Sequence, residues 1–195
     1  MKKFKRYLLL SQIHLFAWLL LSSALVSSVV FDNGGVSNYG NHYNSVVFYS
    51  LAFLVSFVYL YLAANSLLKI NRRFLSLVRS IKILCALLVL VFITTFPRRF
   101  GDVFSDIHDN VSKVLFVYEF FFALWMLYKR TKLDAICYLL IMTTGSLIGL
   151  FSSMHLLNLM FVGQMLGALG FALMLVFILP KVVGTELIKF DNKNS

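Results

Sequence analysis

A chain of 195 residues that is 60% hydrophobic and only 13% charged lies well above the roughly 45–50% apolar share of soluble domains, which excludes a water-soluble globule for most of its length. Its 20 phenylalanines bring more apolar surface than one small soluble core can hide. The net charge of +10 would suit nucleic acid, but the basic residues fall in short clusters between apolar runs. No zinc-finger, RNP or basic-helix pattern accompanies them, so no nucleic-acid partner is expected.

A hydrocarbon layer about 30 Å thick takes about 20 apolar residues at 1.5 Å each. Backbone N–H and C=O groups cannot stay unpaired there, so the apolar runs must be helices. In chain order they predict an all-α, polytopic membrane domain of six spans over residues 7–30, 45–68, 81–96, 111–128, 133–151 and 156–179, with a polar tail at 191–195. Asp32-Asn33-Gly34-Gly35 opens the first loop, Pro97 stops the third span and Pro180 follows the sixth. The basic start, apolar stretch and serines around Ala24 also resemble a signal peptide, but the first run exceeds the 7–15 residues of such an apolar region and favours a retained helix.

Every second break is basic. Lys2, Lys3, Lys5 and Arg6 precede the first span; Lys69, Arg72, Arg73, Arg79 and Lys82 lie around the break between spans two and three. Lys129, Arg130 and Lys132 separate four from five, and Lys181, Lys189 and Lys193 follow six. Only Arg98, Arg99 and Lys113 of the 18 basic residues fall on the other side. Positive charge is retained in cytoplasmic loops, so the expectation is a cell-membrane protein with both termini in the cytoplasm.

That topology puts one histidine in each outer connection: His42, His108 and His155, with Asp32, Asp102, Asp106 and Asp109 on the same side. Imidazole and carboxylate suit zinc, which makes His42, His108, His155 and Asp106 metal candidates, although no HExxH or CxxC spacing fixes a geometry. Otherwise no cofactor is expected. The plainer reading is capping: Asp106 or Asp109 could accept from the open N–H groups of span four, and Arg98 and Arg99 could pair with them. Cys85 and Cys137 have neither metal-ligand spacing nor a disulfide framework and read as inert core residues.

Span four also carries Glu119, eight residues or about 12 Å below Val111. His108, Ser112, Leu115 and Glu119 follow i, i+4, i+7 and i+11, a polar path down one helix face. Ser56, Thr143, Thr144 and Gln164 lie at similar depth as partners. His42, Ser45, Tyr49 and Ser56 make a comparable face on span two; if the two faces met, they would form an outward polar cleft with His42, Tyr49, His108, Ser112 and Glu119 as ligand-binding candidates. His14 reads as an interhelix histidine. Gly145 and Gly149 on span five, with Gly163 and Gly167 on span six, read as packing inside the bundle.

Gly35-Val36-Ser37-Asn38-Tyr39-Gly40 resembles the Ser-x-x-Gly turn of the bacterial and archaeal six-helix membrane proteins grouped as domain of unknown function 998. Phe96-Pro97, Ile107-His108 and Phe116 resemble that group's elements around its fourth span, and the layout is similar to eukaryotic DRAM and Frag-type proteins. The resemblance implies six spans and internal termini but no established reaction. The leading functional expectation is a non-enzymatic bundle whose outer cleft binds a lipid headgroup, a small ligand or a membrane partner, with membrane lipids or a second copy as partners. A metal-dependent hydrolase of a lipid ester or amide, and a small proton- or cation-coupled transporter using Glu119, are the alternatives.

Overall fold

The computed structural model describes residues 1–31, 33–97 and 101–194, and all regular structure among them is helical. Six helices are long and apolar enough to cross a membrane. They are α1 (Lys2–Leu25), α3 (Val46–Ile70), α4 (Leu75–Thr95), α5 (Asp102–Lys129), α6 (Leu133–Ser153) and a continuous rod made of α7 (Met160–Leu173), a π-helical turn (Met174–Ile178) and α8 (Leu179–Asn194). The short α2 (Ser28–Phe31) and a 3-10 segment (Val36–Asn41) fill the first connection.

The spans are those predicted, but several helix ends are not, and three of them have a clear physical reason. The first helix stops at Leu25, five residues early. Val26 leaves helical geometry (φ −134°), and the Ser27-Ser28 pair that follows favours local turns over helix continuation. The fifth helix begins at Asp102, nine residues before the apolar run. Its first two turns are polar, so hydropathy alone misses them, while Asp102 in the first turn complements the positive end of the helix dipole. The sixth rod passes straight through Pro180, which was expected to follow its end. Proline lacks the N–H and crowds the carbonyl four residues back; the π-helical turn immediately before it absorbs that conflict without breaking the rod.

α1 packs closely on α3, α6 packs closely on α7, and α4 lies between α3 and α5. Salt bridges Lys181–Asp134 (2.8 Å) and Lys129–Glu186 (3.7 Å) tie α8 to the α5–α6 corner. The basic connections therefore gather at one end of the bundle, around a core that includes Phe4, Leu67, Leu77, Met126, Leu179 and Val183. A second core at the opposite end collects Leu19, Tyr39, Tyr49, Phe53, Val91 and Phe161.

The α6–α7 seam is set by glycine. A Cβ on Gly145 would strike the backbone of Gly167, one on Gly163 would strike Gly149, and one on Gly170 would strike Met142. The small-residue spacing thus serves packing within the bundle, as expected. Burial corrects one other expectation: Cys85 is a core residue, whereas Cys137 is exposed on the flank of α6. His14 stacks on Tyr59 of α3 with ring centroids 5.3 Å apart, the interhelix role expected of it.

Candidate functional site

At the end opposite the basic connections, the first loop is seated onto the helix ends beneath it. Asn33, in left-handed backbone geometry (φ 55°), donates its amide to the Ser152 carbonyl (3.0 Å) and accepts from the Met160 N–H (3.1 Å). It therefore joins the last turn of α6 to the first turn of α7. Three residues on, the Val36 N–H donates to Gln164 Oε1 at 2.6 Å, and Gly35 leaves room for that amide. Tyr39 is fully buried edge-on to Phe161. Its hydroxyl has no hydrogen-bond partner among the described residues, and burial pushes the phenol up to about 12.

The three histidines have different surroundings. His42 presents an exposed ring, and its carbonyl accepts from Ser45 and Val46 N–H at the start of α3. His155 is exposed in left-handed geometry (φ 57°) just past the end of α6. Its N–H donates to Ser152 O while Leu156 N–H reaches back to Phe151 O, the paired bonds of a Schellman helix terminus. His108 belongs to α5 and not to a loop; it is 3% exposed, with Nδ1 3.1 Å from Thr94 Oγ1 and Nε2 3.5 Å from Ser112 Oγ.

Thr94 and Thr95 explain why the two predicted polar faces do not meet. They are consecutive residues on α4, so their side chains diverge by about 100° around the helix. Thr94 turns to His108 on α5, and Thr95 turns to the buried Tyr49 hydroxyl on α3 at 2.8 Å. α4 therefore stands where an outward cleft between α3 and α5 was expected. Ser45 donates to Tyr39 O, and Ser56 donates to Ser11 O on α1.

Asp106 is exposed on the second turn of α5 and, like Asp109, lies too far from the helix start to cap it; the capping position is Gly101, without a side-chain bond. Among the described residues no three His, Cys, Asp or Glu side chains are close enough to share a metal ion. Asp32 and the arginines proposed to pair with the aspartates, Arg98 and Arg99, lie outside the described residues.

Glu119 sits on the face of α5 that also carries His108, Ala123 and Met126, and it is half-buried. The partners expected for it are engaged elsewhere: Thr143 donates to Leu139 O, Gln164 accepts from Val36, and Ser56 serves α1, while Thr144 is exposed. No described residue hydrogen-bonds or pairs with its carboxyl.

The bundle opens sideways at the basic end. Between α4, α5 and α8 lies a groove of about 550 Å³. Its walls are apolar and aromatic, with Leu77 on α4, Phe121, Phe122 and Trp125 on α5, and Val182 and Val183 on α8. Tyr118 braces it by donating its hydroxyl across to the Ser80 carbonyl of α4 at 2.8 Å. The rim is polar, with Asn71 and Arg73 on one side and Lys129 and Glu186 on the other.

None of these rim residues was a site candidate from sequence, because Arg73 and Lys129 were read only as topology signals. The clue available was the Tyr118, Phe121, Phe122, Trp125 spacing, i, i+3, i+4, i+7, which lays four large rings along one flank of a helix. No family model, curated protein or solved structure matches this chain, so its own residues carry the functional reading.

Proposed function

We propose that this chain is a multi-pass protein of the cell membrane with both termini in the cytoplasm, and that it acts without catalysis by taking a membrane lipid into the lateral groove between α4, α5 and α8. The groove itself carries this reading: a largely apolar, aromatic-walled recess of about 550 Å³ with a charged rim falls in the size range of ligand pockets and matches the two-part chemistry of a lipid. The distribution of Lys and Arg supports the orientation. The six-span layout and the Gly35–Gly40 turn support kinship with the domain-of-unknown-function-998 group.

Two measurements test the reading. Ser76 is exposed and lines the groove, so Ser76→Trp fills the recess; the purified variant loses most of the phospholipid that the unmodified chain retains in native mass spectrometry. Equal retention by both would remove the groove as the binding site. In a background with Cys85 and Cys137 replaced, cysteines at the exposed positions of His42 and Lys132 react with an impermeant maleimide from opposite sides of intact cells. Labelling of both from one side overturns the orientation.

A second reading is favoured by Glu119, whose carboxyl has no described partner on an inward helix face. A carboxyl held within a span is by default a candidate for proton or cation handling. Proteoliposomes that keep full proton-coupled flux with Glu119→Gln would eliminate it.

A further inference from the structure

Lys129, at the end of α5, and Glu186, on α8, bring opposite charges together at the mouth of the groove. Their nearest charged atoms are 3.7 Å apart, beyond ordinary hydrogen-bond reach. Neither side chain hydrogen-bonds to any described residue, so the donors of an ammonium and the acceptors of a carboxylate stand open side by side. Both are more than a third exposed (38% and 42%). A pair this open to solvent holds together weakly, so a ligand can come between its members. Phe121 lies eight residues, or about 12 Å of helix, deeper along α5, which sets the aromatic wall a short way beneath the charged mouth.

The geometry points to a phospholipid with a primary ammonium in its headgroup, phosphatidylethanolamine, as the ligand of the groove. Its phosphate accepts from Lys129, its ammonium donates to Glu186, and its acyl chains lie along Phe121, Phe122 and Val183. The assignment rests on the lipid-binding reading of the same groove and adds the headgroup. In that headgroup a short ethylene link keeps phosphate and ammonium close together, so it replaces one solvent-exposed pair by two charge-assisted hydrogen bonds. Other headgroups satisfy only part of the site. A glycerol headgroup offers its phosphate to Lys129 but brings no cation to Glu186. A choline headgroup has a cation without an N–H, and its methyl groups hold it off the carboxylate. A serine headgroup sets a carboxylate of its own beside Glu186. Arg73 lines the same rim but has an interaction of its own, and neither contact calls on it. Among the described residues lining the groove, Glu186 is the one carboxylate, so selection for an ammonium falls to it.

The test uses the full chain in bilayers of equal phosphatidylethanolamine, phosphatidylcholine and phosphatidylglycerol, with the lipid retained after mild detergent extraction quantified by mass spectrometry. The unmodified chain retains phosphatidylethanolamine about fivefold over each of the others, the scale of two half-exposed charge contacts. When N-methyl and N,N-dimethyl analogues of phosphatidylethanolamine are added to the bilayers, retention falls with each methyl as N–H donors are lost. Glu186→Gln brings the preference over phosphatidylglycerol below about twofold and flattens the methyl series. Lys129→Gln lowers the total phospholipid retained about threefold and leaves the order of headgroups unchanged.

Retained lipid that mirrors the bilayer, a flat methyl series in the unmodified chain, or a preference that Glu186→Gln leaves unchanged would overturn the headgroup assignment while leaving lipid binding intact. Absence of any retained lipid from the unmodified chain would instead sink the groove reading beneath it. Displacement of the lipid by millimolar phosphoethanolamine, or a stable dimer cross-linked through position 121 that retains no phospholipid, would also overturn the assignment, in favour of a soluble phosphate ester or a second copy. The methyl series is read on the unmodified chain, so a variant that fails to fold leaves the test standing.

Discussion

The seam between α6 and α7 and the gap between α5 and α8 belong to one bundle in one solvent, yet the first closes to backbone contact and the second stays open. Along the seam, Gly145, Gly163 and Gly170 remove the side chains that would hold the helices apart. Along α5, Tyr118, Phe121, Phe122 and Trp125 do the reverse, standing as spacers between the helix and its neighbours. In the most apolar window of each rod, 17% of residues are buried for α5 and 56% for the α7–α8 rod. Lipid supplies no hydrophobic drive between helices, so surface shape decides which pairs touch. Bulky rings leave a recess where glycines leave none.

Substitutions can sharpen or break that contrast. Gly145→Ala drives a methyl into the Gly167 backbone and is expected to cost about 2–3 kcal/mol in a detergent unfolding assay, as overpacking does. Gly149→Ala on the same helix faces open space and should change stability by no more than about 1 kcal/mol, with the gain in helix propensity in its favour. Equal losses at the two positions would show that the seam is not the close contact described. Asn33→Gly keeps the left-handed backbone accessible and removes the two bonds to α6 and α7, with an expected cost of about 1–2 kcal/mol by thermal melting.

At His155, glycine relieves left-handed strain (φ 57°), so His155→Gly should be neutral or stabilising by up to about 1 kcal/mol. A large loss there would mean that the imidazole does more than end a helix. The smallest stability effect belongs to the open side. Phe121 is 65% exposed, so Phe121→Ala should stay within about 0.5 kcal/mol while lowering lipid retention, a separation of stability from binding that no seam glycine should show.

The spans were legible because a long apolar run has one stable form in hydrocarbon, and the basic breaks paired off the connections. Helix ends were not, because they depend on local backbone chemistry that hydropathy does not see. Asp102–Asn110 reads as a loop by polarity but continues the helix below it, and Pro180 reads as a stop because its cost is judged against an α-helix and not against a π-helical turn. The polar end showed its residue types in the sequence but not their partners. Thr94 and Thr95 were unremarkable until α4 placed them between Tyr49 and His108. The groove was the least visible, since it exists only where the neighbouring helices α4 and α5 fail to close on α8, which is distant from both in sequence.

The π-helical turn at Met174–Ile178 also sets the phase of everything after it. Such a turn amounts to one residue added to an α-helix, which swings the side chains beyond it by about 100°. The glycines of α7 look toward α6, while past the turn Val182 and Val183 look into the recess beside α5. Removing a single residue from that turn would leave the composition of the rod almost untouched, yet α8 would then present another stripe to the groove: the chain's longest rod doubles as a rotary joint frozen at one angle.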